Sequence, residues 1–252
     1  MPAIERFELE PGANDSSEDL RQIEIFPGEI AGVRTCLVSL PSGAIFCEPA
    51  STGEDRVYLI LSGSGMSTVQ GEKNPLKSQM VAHFPVGVPV KITGLWEEGI
   101  SFLVLHLSLN SDDQLELLGY DERCRLPYFK KLSDGERYAE RIKSPKTISR
   151  TLLPPLIVPR MAMGTVKSLG PDAVALHCHP MLEQYFLGLE GNDITVITDG
   201  VRTSLKANEL MHIPLGSNHG VEVAEGSRLH YLWIDFFLNR QGQDWLKEHK
   251  PV

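Results

Sequence analysis

The stretch AVALHCHPMLEQYFLGLEGNDITVITDGVRTSL, residues 173–205, decides the fold. Its apolar runs are short, rich in β-branched and aromatic residues, and stop at Gly, Pro, Asn or Asp, which is the pattern of strands closed by tight turns. Asp199-Gly200 stands alone between ITVIT and VRTSL. Both central positions of a type I′ turn need positive φ, so this pair predicts a two-residue hairpin. Outward from it the same rhythm runs from Met163 to Phe237, through ELMHI, HGVEV and RLHYLWIDFF. It also fills Thr35 to Asn110, through TCLVSL, VYLIL, QMVAHF and SFLVLHLSL. With 22 Gly and 17 Pro scattered over 252 residues, the chain reads as all-β, a sandwich or barrel.

The two β-rich halves repeat one outline. Pro85-Val86-Gly87 precedes Pro214-Leu215-Gly216 by 129 residues, and Leu40-Pro41 precedes Leu169-Gly170 by the same interval. Two coincidences at one offset, in similar strand-and-turn surroundings, point to an internal duplication. Four segments follow: an N-terminal lobe at 30–110, a linker at 111–150, a C-terminal lobe at 151–238 and a tail at 239–252. The linker is more charged and lacks alternation; Ser133-Asp134-Gly135-Glu136 resembles a capping box and predicts a short helix over RYAERIK. The tail is expected to form another, docked by Trp245 and Leu246.

Composition narrows the partners. The chain carries 24 basic and 33 acidic residues, a net charge of −9, and no Lys/Arg block that would neutralise a run of phosphates. Nucleic acid and membrane are not expected partners. The start lacks an apolar h-region and no apolar run reaches the ~20 residues of a spanning helix, so a cytoplasmic location is expected. Cys36, Cys47, Cys124 and Cys178 have no CxxC spacing and read as free thiols.

Five of the eight histidines fall between 177 and 230. In His177-Cys178-His179 the i, i+2 spacing puts both imidazoles on one strand face. Alternation also turns Glu183 and Tyr185 to one side and Gln184 to the other. The turn Pro214-Leu215-Gly216-Ser217-Asn218-His219 delivers a third imidazole. Three imidazoles and a carboxylate suit a first-row divalent ion. Tyr185 reads either as an acid or base beside the ion or as a barrel-filling aromatic. On RLHYLWIDFF, Arg228, His230, Leu232 and Ile234 share one face and Leu229, Tyr231, Trp233 and Asp235 the other. Either His230 or Tyr231 is a candidate to line a substrate pocket, and Arg160 is either a holder of a substrate carboxylate or a solvated surface residue.

The chain resembles the cupin superfamily. The motif HxH followed by Glu is matched by His177, His179 and Glu183, and PxGxxH by Pro214, Gly216 and His219. The glycines that flank these motifs depart: Gly170 and Gly191 each lie one residue further out than usual, and Asn208 replaces the glycine that opens the second motif. The resemblance implies a bicupin, two jelly-roll barrels joined by a partly helical linker, each able to hold a metal in its mouth. At the repeat offset His177, His179, Glu183 and His219 fall on Glu48, Ala50, Glu54 and Val90, so one divalent transition metal (Fe, Mn, Zn or Ni) is expected, in the C-terminal lobe. Glu48 and Glu54 are expected to be solvated. The implied function is a metal-dependent enzyme on a small oxygenated metabolite (keto or hydroxy acid, sugar acid or catechol-like acid), by dioxygenation or by isomerase/lyase chemistry, assembled as a homodimer. A hydrolase resembling the ureide aminohydrolases and a non-catalytic small-molecule binder are the rival readings.

Overall fold

The computed structural model describes residues 5–9, 20–120, 126–155 and 157–242. Cys124 and the tail residues Trp245 and Leu246 lie outside them. Regular structure among the described residues is almost entirely strand. None of their helices is long and apolar enough to cross a membrane. The strands in chain order are β1 (Arg6–Glu8), β2 (Arg21–Ile25), β3 (Val33–Leu40), β4 (Ile45–Glu48), β5 (Glu54–Val69), β6 (Glu72–Lys77), β7 (Met80–His83), β8 (Val90–Ser108) and β9 (Tyr128–Lys131). They continue with β10 (Glu136–Tyr138), β11 (Ile148–Leu153), β12 (Met161–Leu169), β13 (Asp172–His177), β14 (Leu182–Gly188), β15 (Asp193–Thr198), β16 (Val201–Lys206), β17 (Glu209–Ile213), β18 (His219–Val223) and β19 (Arg228–Phe237). The chain divides into two compact units, Glu10–Leu132 and the combination of Met1–Leu9 with Ser133–Val252.

In the Glu10–Leu132 unit a single sheet runs β2-β3-β8-β5-β7-β9, with β4 on β8 and β6 on β5. β5 and β8 are long enough to serve two layers: β8 pairs β4 through its first residues and β3 through its last. Both strands bend where Gly63 (φ +70°) meets Gly99 (φ +63°). A Cβ on Gly63 would sit 2.1 Å from the Gly99 carbonyl oxygen, so neither φ nor space admits a side chain. The layers enclose Tyr58, Ile60, Phe84, Phe102, Val104 and their neighbours.

The other unit is a sandwich. A seven-stranded sheet, β1-β17-β14-β19-β12-β11-β10, faces a four-stranded one, β13-β18-β15-β16, across a core that includes Val166, Phe186, Val196, Leu205, Met211 and Leu229. The hairpin between β15 and β16 turns at Asp199 (φ +50°) and Gly200 (φ +82°), both left-handed as the sequence requires. All of this is a β-sandwich of jelly-roll type, with strand alternation placing one side-chain set inside.

The linker reading needs correction. RYAERIK is not helical: its first residues belong to β10, and a turn follows. The helix is α1 (Ser111–Leu118), where Asn110 accepts from the Asp113 amide and Asp113 reaches back to the Asn110 amide. Ser133 instead bonds its neighbour Asp134 in a 3₁₀ turn, Leu132–Asp134, so the capping hydroxyl never reaches the position three residues on. The stretch 111–150 supplies α1 and β9 to one unit and β10 to the other.

Candidate metal centre

Three imidazoles converge in the sandwich. His177 ends β13 and His219 opens β18, and the two are register partners across that strand pair. His179 lies just beyond β13, where the chain has left the ladder. The ring centroids of His177 are 4.7 Å from His179 and 4.3 Å from His219, and all three rings are buried. One ring nitrogen from each lies within 4.8 Å of the others, near enough to share an ion. Two tautomers follow from the partners. His177 Nδ1 lies 2.8 Å from the Ala175 carbonyl and His219 Nδ1 lies 3.0 Å from the Ser217 carbonyl. A carbonyl only accepts, so in each neutral ring Nδ1 carries the hydrogen and Nε2 the lone pair, the form a metal takes.

Glu183 is not with them. Its Oε2 accepts from the Leu215 amide at 2.9 Å and lies 2.9 Å from His212 Nε2. It clasps the Pro214–Gly216 turn from the face of β14 opposite the triad. Tyr185 shares that face: it is buried, edge-on to the rings of His212 and Phe236 at 5.7 and 5.3 Å. Glu183 and Tyr185 thus share one face of β14, both beside His212. Chain geometry breaks at Pro180-Met181, outside any strand, so parity counted from His179 does not carry into β14.

The side chain that β14 does point at the triad is Gln184. Its Nε2 donates to Asp235 Oδ1 at 2.5 Å, which turns the amide oxygen inward. That oxygen is buried with no hydrogen-bond partner among the described residues. A buried amide oxygen left bare costs roughly 1–3 kcal/mol, the expectation for an atom whose partner is an ion or ligand. Three neutral imidazoles and an amide oxygen make a donor set that fits a divalent first-row metal.

Gln184, His177 and His179 border a cavity of about 50 Å³ whose wall includes Tyr138, Lys143, Phe186, Tyr231, Trp233 and Asp235. Burial pushes the Asp235 carboxyl up to about 7, with Glu140 adding to the rise and the Gln184 hydrogen bond and Lys143 opposing it. Burial likewise raises Tyr231 far above the ordinary phenol range. Of the substrate-binding candidates, Tyr231 therefore lines the cavity. His230 does not: on the other face of β19, its Nδ1 lies 3.1 Å from the Glu190 carbonyl and burial lowers its pKa. Arg160 does not either; it donates to the Phe237 carbonyl at 3.4 Å. Sequence reasoning placed Asp235 and Trp233 on the Tyr231 face and gave them no role. Tyr138 and Lys143 lay inside the misread helix.

The corresponding place in the Glu10–Leu132 unit is occupied differently. Arg56 pairs in register with His106 across β5 and β8, as Gln184 pairs with Asp235 across β14 and β19. Glu48, at the end of β4, is not solvated as expected. It accepts from the Tyr58 hydroxyl, lies 3.4 Å from Arg56 Nη1, and lies 3.1 Å from His106 Nε2. Glu54 is more open, 3.5 Å from His106 Nδ1. Among the described residues no group of His, Cys, Asp and Glu with metal-binding geometry occurs in this unit.

A cupin domain family model matches residues 167–235, the span that holds the triad and Gln184. Among curated proteins none matches this chain. Solved structures share the fold at low identity. A glyoxylate-induced-protein candidate of Pseudomonas aeruginosa is 13% identical, covers 88% of this chain and 81% of its own, and superposes with a TM-score of 0.73. A cupin 2 conserved barrel domain protein from Leptotrichia buccalis is 15% identical over 86% of this chain and 89% of its own, with a TM-score of 0.61. A variant of Bacillus subtilis oxalate decarboxylase is 17% identical over 93% and 77%, also at 0.61. Residues 167–235 thus match a cupin domain, in a chain whose fold the solved cupin structures share.

Proposed function

We propose that this is a two-barrel cupin whose C-terminal barrel holds one divalent transition metal and acts on a small oxygen-bearing acid. The observation that carries the reading is the bare, buried Gln184 Oε1 beside three clustered imidazoles. His177, His179, His219 and Gln184 would hold the ion, which supplies Lewis-acid polarisation of substrate oxygens when bound. Asp235 fixes the Gln184 amide so that oxygen, not nitrogen, faces inward. Phe186 and Tyr231, with ring centroids 4.6 Å apart, exclude water from one side. A cavity of about 50 Å³ suits a short keto or hydroxy acid better than a sugar ring or a catechol. Its wall carries phenols and a carboxyl, groups that hold and move protons, so isomerase or lyase chemistry is favoured over dioxygenation.

The test is elemental analysis of protein purified without a metal-affinity tag. One metal per chain is expected, lost in His177→Ala, His179→Ala and His219→Ala, weakened in Gln184→Ala and retained in Glu183→Gln. Wild-type protein that binds none of Fe, Mn, Zn or Ni on reconstitution refutes the reading. Oxygen uptake with Fe(II) and a short keto acid would return the assignment to dioxygenation.

A further inference from the structure

We propose that Tyr138 is the residue that hydrogen-bonds the substrate in this cavity and exchanges a proton with it, the substrate being a short 2-oxo acid. The inference rests on the metal reading above. Tyr138 lies outside the matched domain, on β10 at the edge of the seven-stranded sheet, where it pairs with Ser149. The segment that follows is pinned to β13: Lys143 bridges to Val174, and the Ala175 amide donates to the Ile142 carbonyl at 2.8 Å. Tyr138, Glu140, Ile142 and Lys143 therefore form one wall of the cavity that His177, His179 and Gln184 also line.

The phenol oxygen of Tyr138 receives two donors, Trp233 Nε1 at 3.2 Å and Lys143 Nζ at 3.1 Å. A phenol has one hydrogen to give and two lone pairs to accept with. With both lone pairs engaged, the hydroxyl hydrogen is left for a partner in the cavity. The same two donors stabilise the phenolate that remains after the proton leaves. Burial and the Glu140 carboxylate work the other way and hold the resting group as the neutral phenol.

An ion held by the three imidazoles and Gln184 would polarise the neighbouring carboxylate and carbonyl oxygens of a 2-oxo acid. In the step, the Tyr138 O–H bond breaks, a C–H bond forms at the carbon next to the carbonyl using the electron pair there, and the phenolate stays with Lys143 and Trp233. The reverse step takes a proton from that carbon, sends its electron pair towards the carbonyl oxygen and restores the phenol.

The experiment uses the full chain loaded with Co(II), with pyruvate as the probe. Binding is read from the visible spectrum of the cobalt and proton exchange from loss of the pyruvate methyl signal in D₂O. Tyr138→Phe is expected to keep one cobalt per chain, bind pyruvate at least tenfold more weakly, and exchange its methyl protons about 100-fold more slowly, at the low end of general acid–base contributions. Equal affinity and equal exchange in both proteins overturn the role of Tyr138, as does loss of cobalt from the variant, which would make the residue structural. Cobalt-loaded wild type that neither binds nor exchanges pyruvate overturns the substrate class. Wild type that takes up no cobalt overturns the metal reading instead.

Discussion

Replacing Asp235 by Asn should remove a pH dependence that the buried carboxyl imposes on the metal-free protein. Asp235 is 3% exposed, and its carboxyl rises from an ordinary 3.8 to about 7, chiefly because burial strips water from the charged form. Between these values the native state keeps a proton that the unfolded chain has released. The unfolded state then binds fewer protons, so stability falls as pH rises and levels off above 7. At 1.36 kcal/mol per pH unit the whole interval amounts to about 4 kcal/mol, of which more than half is lost between pH 5 and pH 8. Asn keeps an oxygen to accept from Gln184 Nε2 and has no charge to titrate. Urea unfolding of chelator-treated wild type and Asp235→Asn at pH 5, 6, 7 and 8 gives the two slopes. Groups shared by both proteins cancel in the difference, which should change by about 2–3 kcal/mol across the range. Parallel curves would refute the claim that Asp235 is held as the acid in the native cavity wall.

Two further substitutions test the scaffold. A Cβ on Gly164 would lie 2.4 Å from Trp233 Cζ2 and 2.4 Å from the Arg150 carbonyl oxygen, so Gly164→Ala must displace the indole that donates to Tyr138. It should cost about 1–3 kcal/mol and shift tryptophan fluorescence; an unchanged thermal midpoint would show that the contact is not tight. Glu48→Gln should leave metal content untouched and lower stability by about 3 kcal/mol, because Arg56 loses its counter-charge in a largely buried network. A fall to half the metal would mean that the Glu10–Leu132 unit binds an ion after all.

Local chemistry made the strands, the Asp199-Gly200 hairpin and the three imidazoles legible, since each depends on residues close in sequence. The rest required register. Glu183 and Gln184 are neighbours, and which one enters the sandwich depends on how the chain re-enters the sheet after Pro180, a choice made by β14 pairing with β17 and β19. Residues 136–143 carry helix-compatible side chains, and tertiary pairing overrides them: Tyr138 finds a strand partner in Ser149, and Lys143 bridges to Val174. The Asn110 cap escaped notice because the charged run after it was read as a linker, although Asn at the cap with Asp three residues on is the better signal.

The two units show why the shared fold does not by itself create a site. At matching register positions one has Arg56 opposite His106 and the other has Gln184 opposite Asp235. Arg56 spends its guanidinium on Glu48 and on the Pro49 carbonyl at 2.8 Å, so charge is balanced inside the unit and a divalent ion would meet an arginine already in place. Gln184 is neutral, and the Asp235 carboxyl, raised to about 7 by burial, carries its proton below that pH, so no fixed cation opposes an ion there. Lys143, the nearest wall cation, is itself paired with Glu140 at 2.5 Å. An ion bound by imidazoles and an amide would keep more of its charge than one bound by carboxylates, and that charge, rather than a surface patch, is what would draw a small anionic acid into the cavity.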